Sequence, residues 1–152
     1  MTLCDHFLPH GAYVLLNKKG GTALDLSGGN KTIEGHDFHG ENNQQWKFTN
    51  TGHGWAIESM RRRNDGKPLY LSIRGKLKEG VHVVPSVHPL SWYVWEVDGA
   101  LRIGWPGTDY VVELGDWGAE KPGTHVEIMR LKPGEPCQLW YFSRCSISVA
   151  PK

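Results

Sequence analysis

Apolar and polar residues alternate along this chain in short runs, and no stretch sustains a helical spacing. Leu24 and Leu26 flank Asp25, and Trp46 and Phe48 flank Lys47. A period of two is the mark of a strand with one buried face. Clusters of turn-forming residues separate the runs: Lys19-Gly20-Gly21, Ser27-Gly28-Gly29-Asn30, Asn64-Asp65-Gly66, Pro106-Gly107-Thr108 and Lys132-Pro133-Gly134. Glycine, proline and asparagine at these points supply the dihedral angles that tight turns demand. The pattern predicts an all-β chain of many short strands.

The runs also repeat. Gly11-Ala12-Tyr13, Leu24-Asp25-Leu26-Ser27 and Gln44-Gln45-Trp46-Lys47-Phe48 form a first unit. Gly54-Trp55-Ala56-Ile57, Leu69-Tyr70-Leu71-Ser72 and Tyr93-Val94-Trp95-Glu96-Val97 align as a second, and Leu101-Arg102-Ile103, Val112-Glu113-Leu114-Gly115 and Gln138-Leu139-Trp140-Tyr141-Phe142 as a third. With this alignment the closing tryptophans are 49 and 45 residues apart, and an insertion at Arg61–Gly66 accounts for the longer step. Each unit holds about four strands, too few to bury a core alone. Three such units therefore share one core around a pseudo-threefold axis, which is a β-trefoil, with Trp46, Trp95 and Trp140 meeting inside. Residues 1–152 read as a single domain, with repeats at about 9–50, 51–98 and 99–145.

Composition narrows the function. With 17 Lys and Arg against 16 Asp and Glu, the net charge of +1 provides no field for a polyanion, so nucleic acid is not an expected partner. Arg61-Arg62-Arg63 is one short basic run without interleaved aromatics and reads as a solvated loop. Cys4, Cys137 and Cys145 are odd in number and irregularly spaced, which fits free thiols in a reducing compartment. Met1 to His10 lacks the apolar run of a secretion signal, and no later stretch approaches a membrane span, so a cytoplasmic location without membrane insertion is expected. No nucleophile elbow, zinc-protease helix or phosphate loop is present, and the chain is not expected to be an enzyme or to need a cofactor. His36 and His39 fall on opposite faces of a strand, a poor arrangement for a metal pair.

Gln44-x-Trp46 and Gln138-x-Trp140, each with an aromatic two residues on, resemble the repeat signature of ricin B-type lectins. The phrases Leu24-Asp25-Leu26-Ser27-Gly28-Gly29 and His36-Asp37-Phe38-His39-Gly40, with Asn43 before Gln44, are similar to mushroom members of that family. The resemblance covers residues 9 to 143. It implies binding of galactose or N-acetylgalactosamine-type glycans, and a role in defence. It also implies a site made from the acid of the second strand, a backbone amide in the next turn, a ring from the third strand and an asparagine before Gln-x-Trp.

The first repeat supplies each part. Asp25 accepts hydroxyl protons through charge-assisted hydrogen bonds. Gly28 lets the backbone approach closely. Asn43 can donate and accept. His36, Phe38 and His39 are the candidates for ring stacking and a further hydrogen bond. In this alignment the second repeat has Tyr70 in place of the acid and Trp92 and Tyr93 in place of Asn-Gln. The third keeps Glu113 but has Met129 for the ring and Cys137 for the asparagine. One site per chain is expected, and agglutination by such a chain would call for a homodimer or larger assembly. A trefoil protease inhibitor acting through exposed loops is the competing reading.

Overall fold

The structure, a computed structural model, describes residues 11–145; Cys4 lies outside them. These residues form twelve strands: β1 Ala12–Asn17, β2 Ala23–Ser27, β3 Thr32–His36, β4 Trp46–Asn50, β5 Trp55–Ser59, β6 Tyr70–Ile73, β7 Val83–Ser86, β8 Tyr93–Val97, β9 Ala100–Gly104, β10 Tyr110–Leu114, β11 Thr124–Arg130 and β12 Trp140–Arg144. The expected β-trefoil is the observed fold. No helix of the described residues is long and apolar enough to cross a membrane.

Six strands close a barrel. β1 pairs with β4, β4 with β5, β8 with β9, β9 with β12 and β12 with β1, all antiparallel. The ring closes between β5 and β8 through Trp55 and Trp92, which exchange backbone hydrogen bonds of 2.7 and 2.8 Å. Gly54 makes this closure fit: a Cβ there would lie 2.5 Å from the Trp92 carbonyl oxygen. The other six strands form three hairpins, β2–β3, β6–β7 and β10–β11, that cap the barrel. They meet one another through Gly35–Thr124, Glu34–His125 and His82–Glu127 pairs. Closure leaves the barrel without free edges, which removes the usual templates for aggregation.

The threefold relation appears most plainly in three tryptophans. Trp46, Trp92 and Trp140 are the largest fully buried side chains. Each donates its indole N–H to a carbonyl on the second strand of its own lobe: Leu24 at 2.9 Å, Leu71 at 3.0 Å and Val112 at 3.4 Å. A buried indole needs such a partner, and here the bond also pins strand four to strand two.

The equivalence corrects the alignment read from sequence. The second-lobe counterpart of Trp46 is Trp92, not Trp95, so the spacings are 46 and 48 residues and no insertion is needed to explain them. Trp95 is only half-buried and packs edge-on against Tyr93 on the outer face of β8. A slip of three residues is odd, and on a strand an odd slip exchanges the inner and outer faces. Trp105 packs edge-on against Trp92, with ring centroids 5.6 Å apart.

Candidate functional site

In the first lobe, alternation on β2 sends Leu24 and Leu26 into the core and Asp25 to the opposite face. A single 3₁₀ turn, Asn42–Gln44, then brings Asn43 and Gln44 across that strand just before Trp46. Gln44 is fully buried and uses its whole amide. Its Nε2 donates to Asp25 Oδ2 at 2.8 Å and to the Asp37 carbonyl at 2.9 Å, and its Oε1 accepts from the amides of His39 at 2.9 Å and Gly40 at 3.1 Å. One side chain thereby fixes the carboxylate and the loop that follows β3. This glutamine is structural support.

Asp25 receives two further donors on Oδ1, the Ser27 hydroxyl and Asn43 Nδ2, the latter at 3.1 Å. A carboxylate has about four acceptor positions. Three are filled internally, which leaves room for a ligand hydroxyl. Asn43 Nδ2 also donates to the Leu26 carbonyl at 3.3 Å, so both its protons are engaged and its Oδ1 is left as an acceptor. His39 Nδ1 accepts from the Glu41 amide at 3.0 Å. The neutral ring therefore carries its proton on Nε2, which lies 3.8 Å from Asp25 Oδ2, too far for a direct hydrogen bond. His36 Nε2 sits 2.8 Å from Glu34 Oε1, and Thr32 donates to the other Glu34 oxygen at 2.9 Å.

These groups line an open hollow of about 530 Å³. Of the residues singled out from sequence, Asp25, Gly28, His36, His39 and Asn43 converge on it. Phe38 does not line it; it is 57% exposed and leans over Gly40, whose hypothetical Cβ would lie 3.2 Å from the ring. Gly28 has φ +60°, in the left-handed region, and a Cβ there would meet the Thr32 hydroxyl at 2.9 Å. Six residues not proposed as ligand contacts also line the hollow: Leu26, Ser27, Glu34, Asp37, Arg61 and Pro122. Among the described residues no group of three or more His, Cys, Asp or Glu side chains is placed to hold a metal ion.

Comparison with known proteins places this arrangement in a family. Residues 6–84 match the model of the ricin-type beta-trefoil lectin domain-like family. The chain belongs to that family. It is a carbohydrate-binding protein, a lectin. The solved structure of the Macrolepiota procera ricin B-like lectin in complex with lactose is 34% identical, with a TM-score of 0.83, and the match covers 92% of this chain and 100% of that one. The Rhizoctonia solani agglutinin is 24% identical with a TM-score of 0.76, covering 93% and 100% of the two chains. The C-half of the earthworm R-type lectin in complex with GalNAc shares the fold at 15% identity and a TM-score of 0.64, covering 89% and 99%. A search of curated protein sequences finds no match.

The other two lobes of this lectin retain the scaffold unequally. With Trp92 as the anchor, the second lobe has Ser72 where the first has Asp25, and Pro89 and Leu90 where the first has Asn43 and Gln44. Leu90 packs against the core. Neither the carboxylate nor the amide that would hold it is present.

The third lobe keeps both. Gln138 Nε2 donates to Glu113 Oε1 and to the Arg130 carbonyl, each at 2.9 Å, and Gln138 Oε1 accepts from the Lys132 amide at 2.9 Å. Burial pushes the Glu113 carboxyl above its ordinary value; the nearby Glu127 charge adds to this, and donation from Gln138 opposes it. Cys137 occupies the asparagine position. It is buried, and desolvation with the charges of Glu113 and Glu135 pushes its thiol up to about 12. The hollow here is about 230 Å³. Trp117 stands over its rim, 77% exposed on left-handed backbone with Lys132 Nζ 5.2 Å from its ring.

Proposed function

We propose that the first lobe binds a terminal galactose or N-acetylgalactosamine residue. One observation carries the reading. Asp25, Asn43 and the His39 Nε2–H converge on a single hollow, and Gln44, itself fully satisfied, holds the carboxylate in place. A sugar offers vicinal hydroxyls and an apolar C–H face. The remaining acceptor positions on Asp25 and Asn43 suit two hydroxyls, and the Gly28 turn lets backbone come near a third. The rings of His36 and His39 are the flat groups that line the hollow.

The relative that shares 34% identity was solved with lactose, a galactoside, which supports the sugar class. The complex of the earthworm lectin with GalNAc is consistent with it. A defence role and action in the cytoplasm belong to the same proposal. They rest on the likeness to mushroom lectins and on Cys137 and Cys145, which are free thiols.

Titration calorimetry with lactose and N-acetylgalactosamine tests the reading. Asp25→Ala is expected to weaken binding at least about tenfold, equivalent to about 1.4 kcal/mol. Equal binding by the wild type and Asp25→Ala would remove the first-lobe assignment.

A further inference from the structure

We propose that Arg61, a residue of the second lobe, completes the first-lobe site and selects galactosides that carry an anionic group, a sulfate ester or a carboxylate. The inference rests on the reading of the first lobe as a galactoside site.

The sequence presents Arg61, Arg62 and Arg63 as one basic run, but the structure gives them different partners. Arg62 pairs with Glu58 and Arg63 with Asp65, at 3.4 and 3.1 Å. Arg61 reaches across to the first lobe. Its Nε donates to Asn30 Oδ1 at 2.9 Å, and its Nη2 to the Leu26 carbonyl at 2.6 Å. Both acceptors are neutral, and among the described residues no carboxylate pairs with this guanidinium. An arginine stays charged at any physiological pH and has five N–H donors, of which two are used here. The remaining donors belong to a group that lines the same hollow as Asp25, His39 and Asn43.

Arg61 lines the first hollow and is bonded to Asn30, which lines a second. The turn Ser27-Gly28-Gly29-Asn30-Lys31 contributes to both: Ser27 and Gly28 line the first, and Gly29, Asn30 and Lys31 line the second, of about 580 Å³, together with Arg63, Asn64, Asp65 and Ser86 among others. Lys31 brings a second cation without a paired carboxylate among the described residues, whereas the charge of Arg63 is answered by Asp65. A glycan seated on Asp25 that continues past the turn would pass Arg61 and then meet Lys31.

Charge placement decides which end of the ligand carries the anion. Asp25, Glu34 and Asp37 line the first hollow and repel a negative group placed over them. Their acceptor oxygens suit sugar hydroxyls instead. At the Arg61 edge the sign is opposite, and the planar fork of guanidinium matches the paired oxygens of a sulfate or carboxylate. Two internal bonds already restrain the Arg61 side chain, so little rotamer freedom is left to lose on binding.

The test compares lactose, lactose sulfated on its galactose and sialylated lactose as probes, titrated into wild type, Arg61→Ala, Arg61→Lys and Asp25→Ala. The wild type is expected to prefer at least one anionic probe over lactose by roughly fivefold, the upper scale of an exposed charge pair. Which probe gains tells sulfate from carboxylate recognition. The preference should shrink as salt is raised, vanish in Arg61→Ala and survive in part in Arg61→Lys. Equal affinity of the wild type for all three probes overturns the proposal without any variant, as does an anionic preference that Arg61→Ala leaves intact. Failure of the underlying reading looks different: Asp25→Ala would then bind lactose as well as the wild type does. A wild type that binds none of the probes overturns both.

Discussion

The first and third lobes share one scaffold and differ in what it presents. In both, a buried glutamine before the closing tryptophan holds an acid on the second strand and gathers the loop after the third. In the first lobe the acid is Asp25, its neighbour is Asn43, and the hollow is about 530 Å³. In the third the acid is the longer Glu113, its neighbour is the buried Cys137, and the hollow is about 230 Å³. The Gln-x-Trp signature therefore reports that a lobe is braced, and the residue before it reports whether the brace supports an amide that can face a sugar. The second lobe goes further, with Leu90 in place of the glutamine and the tryptophan alone retained.

If the tryptophans are the part common to all lobes, the largest effect should come from removing one. Trp92→Ala is expected to cost about 3–5 kcal/mol in urea unfolding, as for other buried aromatics, whereas Trp95→Ala should cost clearly less. Equal costs would undo the structural alignment of the second lobe. The glutamines separate support from binding at a smaller scale. Gln44→Ala and Gln138→Ala each strand buried partners and should each cost about 1–3 kcal/mol of stability. Only Gln44→Ala should also weaken lactose binding, and a matching loss from Gln138→Ala would make the third lobe a site as well.

The smallest effect concerns pH. Because the folded protein raises the Glu113 pKa above the ordinary value of 4.5, it binds a proton more readily than the unfolded chain does. The stabilising contribution is fully present below that ordinary value and is lost as pH rises through the raised one. Replacing this acid by Glu113→Gln removes the loss. Its urea midpoint relative to wild type should therefore increase from pH 4.5 towards neutrality. A difference that stays flat would show that Glu113 does not titrate as an isolated buried acid.

Much of the fold was legible because a trefoil writes its unit three times. Strand alternation around Asp25 and Lys47, the turn clusters and the two Gln-x-Trp signatures were enough to place a threefold core. Asp25, Gly28, His36, His39 and Asn43 were legible as a group because they belong to one lobe, and local strand geometry carries them to one hollow. The second lobe misled because it holds Trp92 and Trp95 close together with no glutamine to mark which faces inward. Burial and the bond to Leu71 decide between them, and neither is written in local composition. Phe38 sits in the right stretch of chain, but its backbone sends it over Gly40. Arg61 was illegible for a different reason: its partners Leu26 and Asn30 lie in another lobe, and only the packing of lobe on lobe brings them together.

The central claim is that a sugar sits against Asp25 and Asn43 and not against the other lobes. A crystal structure of this protein with lactose bears on it most directly. The galactose residue is expected in the first-lobe hollow, with hydroxyls on Asp25 Oδ2 and Asn43 Oδ1 and a histidine ring against its apolar face. Galactose resting instead beside Glu113 and Trp117, with the first lobe empty, would contradict the account.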